Sequence, residues 1–303
     1  MVFPHKLTQR IKQKAHELGF HHVGITTPEP PAHLDIYQQW LSAGHHADMA
    51  WMAADEALLR RADPRRILPE CQSILCLGMH YYPSPLLPSP NGSRDCGEGR
   101  IASYAWGDDY HDTIGEGLKK LVLYIENQLG HSIPNRWYTD TGPILEKELA
   151  QRAGLGWIGK NTNLINPQSG SYFLLAEIFL GIELLPDNPF PSDHCGSCTR
   201  CIESCPTDCI LPNRTIDASR CISYLTIELK GHIPQDLRPD IGEWVFGCDI
   251  CQQVCPWNLR FASDEGDARF APRFGVPPVS LKDELPLSPQ EFNRKFKGSP
   301  IKR

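Results

Sequence analysis

The sequence contains no run of eighteen apolar residues, so no segment is predicted to span a membrane. It also has no large excess of positive charge, and the formal net charge of −6 argues against wholesale wrapping of nucleic acid. Nothing at the N-terminus resembles a signal peptide, because residues 5 to 19 combine apolar residues at helical spacing with charges between them. We therefore expect a cytoplasmic protein in a reducing environment.

Nucleotide-binding signatures are lacking as well. The glycine-rich segment Gly154–Lys160 has neither the Walker spacing nor the dinucleotide spacing, so it is at most a cradle for an anion near a helix end. The histidines His21-His22, His45-His46 and His111 invite a metal-site interpretation, but adjacent histidines seldom converge on one ion. We assign them no ligand role.

Cysteine, by contrast, is abundant, with twelve residues in the chain. Seven of them form two blocks, each ending in Cys-Pro: Cys195-x-x-Cys198-x-x-Cys201-x-x-x-Cys205-Pro206 and Cys248-x-x-Cys251-x-x-x-Cys255-Pro256. The first block has the ligand run of a bacterial two-cluster ferredoxin, in which the cysteine before proline ligates the other cluster. The pattern predicts two [4Fe–4S] clusters.

The second block needs a fourth ligand, and Cys221, between the blocks, is the natural candidate. The crossed pattern then assigns four thiolates to each cluster. Cluster one takes Cys195, Cys198, Cys201 and Cys255, and cluster two takes Cys205, Cys221, Cys248 and Cys251.

Two other interpretations of the cysteines remain open from spacing alone, namely a pair of zinc sites and a disulfide framework. The Cys-Pro signature and the reducing environment favour clusters. The remaining cysteines are expected to be buried small apolar residues: Cys71, Cys76, Cys96 and Cys209. Cys209 is near enough to compete as a ligand, and Cys205 ranks above it because proline follows.

The chain before the cysteines mixes helices and strands, as in a layered α/β or α+β domain. Periodicity and breaker residues predict a strand at 73–79, a loop at 83–99, a helix at 109–129 stopped by Gly130, a buried segment at 172–182 and a proline-rich linker at 186–191. Trp137–Thr139 is a predicted strand end, and Gly142-Pro143 is predicted to open the next helix. Asp140 lies at that junction, where spacing alone favours a helix cap.

Several longer segments resemble one known family: Arg61–Pro69, Tyr104–His111, the segment that begins at Asp140, Cys221–Thr226 and Gly247–Trp257. The chain is similar, over nearly its whole length, to the epoxyqueuosine reductases, which are cobalamin-dependent iron–sulfur enzymes that complete queuosine synthesis in tRNA. The family's crossed cluster ligation agrees with the cysteine assignment made above.

The resemblance implies an α+β protein. Residues 1–190 would form a corrinoid-binding, nitroreductase-like α/β domain similar to the core of reductive dehalogenases. Residues 191–265 would form a ferredoxin-like domain with two [4Fe–4S] clusters, and residues 266–303 a C-terminal extension with a basic end. Longer family members continue into helical repeats that help to hold tRNA, and this sequence does not include them.

The resemblance also implies site residues. Asp140 corresponds to the family's proton donor and would need a raised pKa to act as a general acid. The implied contacts to cobalamin are Arg61, Ala102, Asp140, Leu164, Leu175, Ser223, Cys248 and Asp249. The residue types alone suggest ordinary structural roles. Arg61 would pair with Asp63 or Glu70 at the surface, Leu164 and Leu175 would be core, and Ser223 would cap a turn.

The implied partners are tRNA carrying epoxyqueuosine and an external low-potential electron donor, and we expect a monomer. The basic stretch Phe292–Arg303 has no acid and would either grip phosphates or form a solvated tail. The aromatic residues Trp106, Tyr110 and Trp137 are expected in the core or along the cofactor. Two alternative functions stay open, a corrinoid iron–sulfur reductase of a small molecule and an iron–sulfur electron-transfer protein.

Overall fold

The computed structural model describes residues 4–82, 97–191, 193–263, 266–276 and 279–303. Most of the loop predicted at 83–99, including Cys96, lies outside these ranges. The end of that prediction is wrong, because Glu98 and Gly99 belong to a strand.

The strands are β1 His22–Thr26, β2 Ser73–His80, β3 Glu98–Ile101, β4 Asn135–Tyr138, β5 Trp157–Ile158, β6 Leu164–Ile165, β7 Phe173–Leu180, β8 Trp244–Phe246 and β9 Val279–Ser280. The helices are α1 Pro4–Glu17, α2 Leu34–Ser42, α3 Asp55–Ala62, α4 Tyr110–Leu129, α5 Glu146–Arg152, α6 Arg200–Glu203, α7 Ile222–Ile227, α8 Arg238–Ile241, α9 Ile250–Gln253, α10 Pro256–Phe261, α11 Leu281–Glu284 and α12 Pro289–Lys295. Short 3-10 turns lie between several of them.

The main sheet is antiparallel, with strand order β1-β2-β7-β4. Every residue of the central strand β2 is buried, because helices cover both faces of the sheet. Side chains alternate across a strand, so Leu75 and Leu77 pack with α1 and α4, whereas Ile74 and Cys76 pack with α5. The predicted burial of Cys76 is confirmed.

Helix α5 approaches the sheet very closely at Gly24 in β1. A Cβ atom at Gly24 would lie 2.1 Å from the carbonyl oxygen of Ala153, just after α5. Arg152, the last residue of α5, also donates to Thr26 Oγ1 at 2.9 Å and to the Thr27 carbonyl oxygen. The end of α5 is therefore fixed against the edge of the sheet.

A second, smaller sheet has the order β8-β3-β9, with β3 parallel to β8 and antiparallel to β9. It joins the segment before α4 to the cysteine-rich region and to the C-terminal extension, residues 266–303. The short helices α6 and α9, each inside one cysteine block, pack against each other. The two blocks thus lie side by side although their sequence positions are far apart.

Several predictions from periodicity are confirmed. Helix α4 ends at Gly130, which has a φ of 77° and caps the helix in the left-handed conformation. Strands β2 and β7 occupy the predicted apolar segments, and the mixed α and β class is confirmed as well. Within the described ranges, no helix is long and apolar enough to cross a membrane.

The predicted start of α5 at Gly142-Pro143 is wrong, because the helix begins at Glu146 with Leu145 as its N-cap. Gly142 instead lies against the ring of Tyr138, where an added Cβ would be 2.6 Å from Cγ. The residues between β4 and α5 therefore form a tight loop, and Asp140 lies in it.

Candidate active site

Asp140 follows β4 in an uncommon conformation, with a φ of 61°. The predicted helix-cap role is wrong, since α5 begins six residues later and has no side-chain cap bond. The side chain of Asp140 is 64% exposed, yet burial still acts on its pKa. A carboxylate that is open to solvent but surrounded by protein lies in a cleft.

Helix α4 supplies the partners of Asp140. Tyr110 Oη donates to Asp140 Oδ2 at 2.7 Å, and His111 Nε2 lies 3.6 Å from the same oxygen. The other ring nitrogen of His111, Nδ1, is 2.7 Å from Asp109 Oδ1. Asp109, His111 and Asp140 thus form a carboxylate–imidazole–carboxylate series at the N-terminus of α4.

The predicted rise in the pKa of Asp140 is contradicted. Desolvation raises this pKa, but the contacts with His111 and Tyr110 outweigh it, so the pKa lies below its ordinary value. The resting Asp140 is therefore ionised near neutral pH. A proton that leaves from Asp140 must first be delivered to it, and the imidazole of His111, with Nε2 3.6 Å from Oδ2, is placed to deliver one.

The cysteines assigned to cluster one line a common cavity, namely Cys195, Cys198, Cys201 and Cys255. Trp157 Nε1 donates to Cys195 Sγ at 3.5 Å. Among the described residues, no three His, Cys, Asp or Glu side chains are arranged to hold a single metal ion. Four thiols around one cavity, with an N–H group aimed at sulfur, fit an iron–sulfur cube.

The cysteines assigned to cluster two also come together, with Cys209 among them. Cys209 Sγ lies 3.4 Å from Cys205 Sγ and also contacts Cys221. Its thiol lowers the pKa of Cys205 to about 5 and that of Cys221 to about 7. The contacts of Cys209 with the thiols of Cys205 and Cys221 raise its own pKa. Cys209 is therefore close enough to Cys205 and Cys221 to compete as a ligand, as its place in the sequence suggested.

Cys248 and Cys251 complete this group. Burial raises the pKa of both thiols, and Cys221 contributes to each of the two shifts. The pKa of Cys251 is also raised by Cys201 of the first cysteine block. The two proposed cluster positions are therefore close to each other, as crossed ligation requires.

The segment Gly154–Asn163 has a role that its sequence did not reveal. Lys160 Nζ donates to the carbonyl oxygens of Gly196 and Cys198, at 2.7 and 2.9 Å. Asn161 Nδ2 donates to the carbonyl oxygen of Cys251 at 3.3 Å. The segment thus stabilises both cysteine blocks through hydrogen bonds to their backbone. These contacts do not resemble a site that binds an anion.

Lys147 and Tyr104 connect Asp140 to the cysteine region. Lys147 interacts electrostatically with Asp140 and with the thiols of Cys221 and Cys251. Burial raises the pKa of Tyr104, and Asp140 and Asp249 raise it further. The acid loop therefore lies near the cysteines assigned to cluster two.

Four of the residues implied to contact cobalamin come together on the cluster side of the cleft. Asp249 Oδ2 accepts from the backbone N–H of Ser103 at 2.7 Å, beside Ala102. Cys248 packs against the same apolar cluster as Ala102 and α7, the helix that carries Ser223. Ser223 lies inside that helix, so the plainer role of a turn cap does not apply.

Two more of these residues, Leu164 and Leu175, lie near the main sheet. Leu175 accepts a hydrogen bond at its carbonyl oxygen from Thr139 Oγ1 at 2.9 Å, next to Asp140. Leu164 is 3% exposed and belongs to the apolar cluster under α5, against which Leu175 packs. Leu164 and Leu175 are equally well placed as ordinary core residues, so their contact with the cofactor stays a proposal.

Arg61 does not form the surface ion pair that was the plainer expectation. It is 7% exposed, and its guanidinium group lies over the ring of Tyr37, 5.3 Å from the centroid. Arg61 Nη1 has no hydrogen-bond partner in the described part of the chain, and the same holds for the buried Ser103 Oγ. Buried donors left open beside a cleft fit a polar ligand such as a corrinoid.

Tyr110 and His111 are the functional candidates that sequence reasoning missed. The sequence predicts Tyr110 as core or cofactor lining and gives His111 no role. It holds one signal, because Asp109-Tyr110-His111 starts a long helix and places three polar side chains at its N-terminus. Nothing local indicates that Asp140 would lie against them.

Comparisons with known proteins agree with this geometry. Residues 61–141 match the family described as "Epoxyqueuosine reductase QueG, DUF1730", and residues 194–258 match a 4Fe-4S double cluster binding domain. An epoxyqueuosine reductase of Cyclobacterium marinum is 40% identical over 303 residues, which cover 98% of this chain and 93% of that protein. The chain belongs to the epoxyqueuosine reductase family. The double-cluster match also identifies a domain for two iron–sulfur clusters and not a zinc or disulfide site.

Solved structures of the family have the same fold. An epoxyqueuosine reductase with an epoxyqueuosine-modified tRNA-Tyr stem loop has a TM-score of 0.87 at 32% identity, covering 97% of this chain and 76% of that one. The Bacillus subtilis enzyme, in a form whose catalytic loop is swung out of the active site, has a TM-score of 0.86 at 31% identity, with the same coverages. These relatives do not favour the two alternative functions, small-molecule reduction and simple electron transfer.

The predicted likeness to reductive dehalogenases is confirmed at the level of fold. One such structure, described as suggesting a mechanism for B12-dependent dehalogenation, has a TM-score of 0.53 at 17% identity and covers 85% of this chain and 32% of that one.

Proposed function

We propose that this chain reduces epoxyqueuosine in tRNA to queuosine, with electrons passing through two [4Fe–4S] clusters to a corrinoid bound in the cleft beside Asp140. The observation that carries the proposal is the position of Asp140. Its carboxylate is open to solvent, and Lys147 interacts electrostatically both with this carboxylate and with the thiols of Cys221 and Cys251. A proton source and an electron source thus border one space.

The cofactors are proposed from the residues that would hold them. The ligands proposed for cluster one are Cys195, Cys198, Cys201 and Cys255, and those for cluster two are Cys205, Cys221, Cys248 and Cys251. The residues proposed to hold the corrinoid are Arg61, Ala102, Asp140, Leu164, Leu175, Ser223, Cys248 and Asp249. When bound, a corrinoid supplies the nucleophilic or radical reactivity toward carbon that iron–sulfur clusters lack.

Residues of the protein hold and deliver the protons that the reaction consumes. Converting an epoxide to an alkene consumes two electrons and two protons and releases water, so an oxygen that leaves carbon must be protonated. His111, when protonated on both ring nitrogens, donates from Nδ1 to Asp109 and faces Asp140 with Nε2. Passing the Nε2 proton to Asp140 Oδ2 leaves a neutral imidazole and makes Asp140 an acid at the moment of bond cleavage, although its resting pKa is low.

Binding of tRNA is proposed for the basic C-terminal stretch Phe292–Arg303. Arg303 Nη1 lies 3.9 Å from Asp109 Oδ2, and the backbone N–H of Asp109 donates to the Gly298 carbonyl oxygen at 2.8 Å. The stretch therefore borders the N-terminus of α4, near Asp140. Its exposed cations are positioned to contact phosphates while a nucleotide enters the cleft. An external low-potential electron donor, a monomeric state and a cytoplasmic location complete the proposal.

The test uses the protein loaded with iron–sulfur clusters and cobalamin, a low-potential reductant, and a tRNA stem loop that carries epoxyqueuosine. We expect the native chain to form queuosine and Asp140→Asn to lose about 100-fold or more of the rate while keeping its clusters. Asp112→Asn, an exposed acid on helix α4, is the matched control and should retain the native rate. Full activity of Asp140→Asn would refute the role of Asp140, and an inactive, fully loaded native chain would refute the function.

A further inference from the structure

The loop that carries Asp140, residues 139–142, holds a conformation that is not intrinsically favoured. Asp140 has a φ of 61°, which is uncommon for a residue with a side chain. The backbone N–H of Thr141 donates to the Thr139 carbonyl oxygen at 2.7 Å, across Asp140. Contacts outside the loop must therefore hold Asp140 in place, because its own backbone preference does not.

Glu146 supplies the contact to the backbone of Asp140. Its Oε1 accepts the N–H of Asp140 at 2.7 Å. Glu146 is the first residue of α5, whose other end is fixed to the sheet at Gly24 and Arg152. The acceptor therefore stands on a rigid element, while the donor stands on the loop.

On the sheet face that helix α5 covers lies a second carboxyl group with no evident structural purpose. Glu177, in the middle of β7, is 0% exposed, and neither of its carboxyl oxygens has a hydrogen-bond partner among the described residues. Its neighbours across the sheet are Cys76 on β2 and Tyr138 on β4. A buried polar group without a partner is costly, and such groups in native proteins call for an explanation.

The two carboxyl groups interact. Burial, followed by the charge of Glu146, raises the pKa of Glu177 well above its ordinary value, so Glu177 is neutral and carries an O–H donor. Burial, followed by the charge of Asp140, raises the pKa of Glu146 to about 7. Arg61 and Lys147 act on Glu146 in the opposite direction. Glu146 thus accepts a hydrogen bond from the loop and interacts electrostatically with a protonated carboxyl group in the sheet.

We propose that Glu146 is a positioning residue that latches the Asp140 loop in the cleft, and that the buried Glu177 is the competing partner that Glu146 takes when the loop leaves. The catalytic loop of the Bacillus subtilis relative has a second position, swung out of the active site. Glu146 then has one partner for each loop position. When the loop opens, the hydrogen bond that Glu146 loses from the Asp140 N–H is replaced by one from Glu177. The effect on turnover rests on the function proposed above, whereas the latch itself does not.

The experiment is amide hydrogen exchange of the loop in the cluster-loaded protein without substrate. Glu146→Ala removes the acceptor and should speed exchange of the Asp140 amide by about fivefold or more. Glu146→Gln keeps an acceptor oxygen and should stay within about twofold of the native rate. Glu177→Met removes the competing donor at similar volume and should slow the exchange of this amide.

Glu148→Ala is the matched control. Glu148 is a buried carboxylate on the same helix whose Oε1 accepts from the backbone of Ala32, away from the loop. Its loss should destabilise the protein and leave exchange of the Asp140 amide unchanged. If Glu146→Ala leaves that exchange unchanged, or if Glu146→Gln accelerates it as much as Glu146→Ala does, the latch is overturned. Unchanged or faster exchange in Glu177→Met overturns the role of Glu177.

Turnover on the epoxyqueuosine stem loop gives a second readout. Glu146→Ala should lower kcat by about tenfold or more with KM within about threefold, and Glu146→Gln should restore kcat, because a misplaced acid slows chemistry more than binding. A rise in KM with unchanged kcat overturns the positioning role. If the native chain has no activity but the exchange pattern holds, the proposed function fails and the latch stands.

Discussion

Cys205 and Cys209 lie next to each other beside Cys221, and only one of them is proposed as a ligand of cluster two. Because Cys209 is not one of the four proposed ligands, its removal leaves four thiolates for the cluster. We expect Cys209→Ala to retain both clusters and Cys205→Ala to lose about half of the iron. Iron analysis and EPR of the reconstituted proteins measure this. Loss of iron in Cys209→Ala alone would reverse the assignment.

The hydroxyl group of Tyr110 controls the acidity of Asp140 directly. Tyr110→Phe removes the donor to Asp140 Oδ2, and a hydrogen bond that stabilises a carboxylate lowers its pKa, so the variant should raise the pKa of Asp140. Because protonated Asp140 is the proposed acid, the alkaline limb of the pH dependence of kcat/KM should move to higher pH.

The control for this pH profile is Tyr124→Phe. Tyr124 lies on the same helix as Tyr110, and its ring lies under the ammonium group of Lys14, at the interface with α1. Its profile should match that of the native protein. An unshifted profile for Tyr110→Phe would contradict the claim that this hydroxyl group sets the acidity of Asp140.

At the scale of elements, the start of helix α4 serves stability and chemistry together. Asp109 caps the helix by accepting from the backbone N–H of His111 at 3.0 Å, and the same oxygen contacts His111 Nδ1. Asp109→Ala should therefore cost about 1 kcal/mol of unfolding free energy and also release the imidazole. We expect a Tm lower by a few degrees and turnover reduced by about tenfold or more.

Ser288 provides the comparison at another helix. It caps α12 in a reciprocal capping box with Glu291, which occupies an exposed part of the structure. Ser288→Ala should cost a similar free energy of unfolding, because the cap chemistry is similar, yet leave turnover unchanged. Equal turnover losses in the two variants would show that stability alone explains the effect of Asp109→Ala.

For the whole molecule, the basic C-terminal stretch Phe292–Arg303 is the proposed contact with tRNA. Lys297 and Lys302 are exposed, whereas Lys295 is already paired with Glu284. Replacing Lys297 and Lys302 with Ala should weaken stem-loop binding and reduce the slope of log K against log salt by about 1.5, since each lost phosphate contact contributes about 0.7–0.9.

The matched control for this measurement replaces Lys6 and Lys120, two lysines on α1 and α4. It removes the same net charge, so it separates a local contact from a general electrostatic effect. The salt slope of this variant should equal the native one. If both double variants change the slope equally, the C-terminal stretch is an ordinary solvated tail.

Local patterns in the sequence were enough to predict two iron–sulfur clusters and several elements. Iron–sulfur ligation imposes short, characteristic spacings, so the two blocks could be recognised without any structure. Helix α4 followed from its apolar periodicity and from Gly130, and β2 and β7 followed from buried runs of strand length. The start of α5 was predicted too early, because the close contact of Gly142 with Tyr138 is not a local signal.

The sequence by itself therefore determined the cluster chemistry and the family, since both depend on residues close together along the chain. Only the tertiary structure decided the state of Asp140, because its partners Tyr110 and His111 lie about 30 residues earlier and meet it through space. The expected rise in its pKa became a fall for that reason. The buried Glu177 was equally invisible, because a glutamate in an apolar strand is distinguished only by what surrounds it once the sheet has formed.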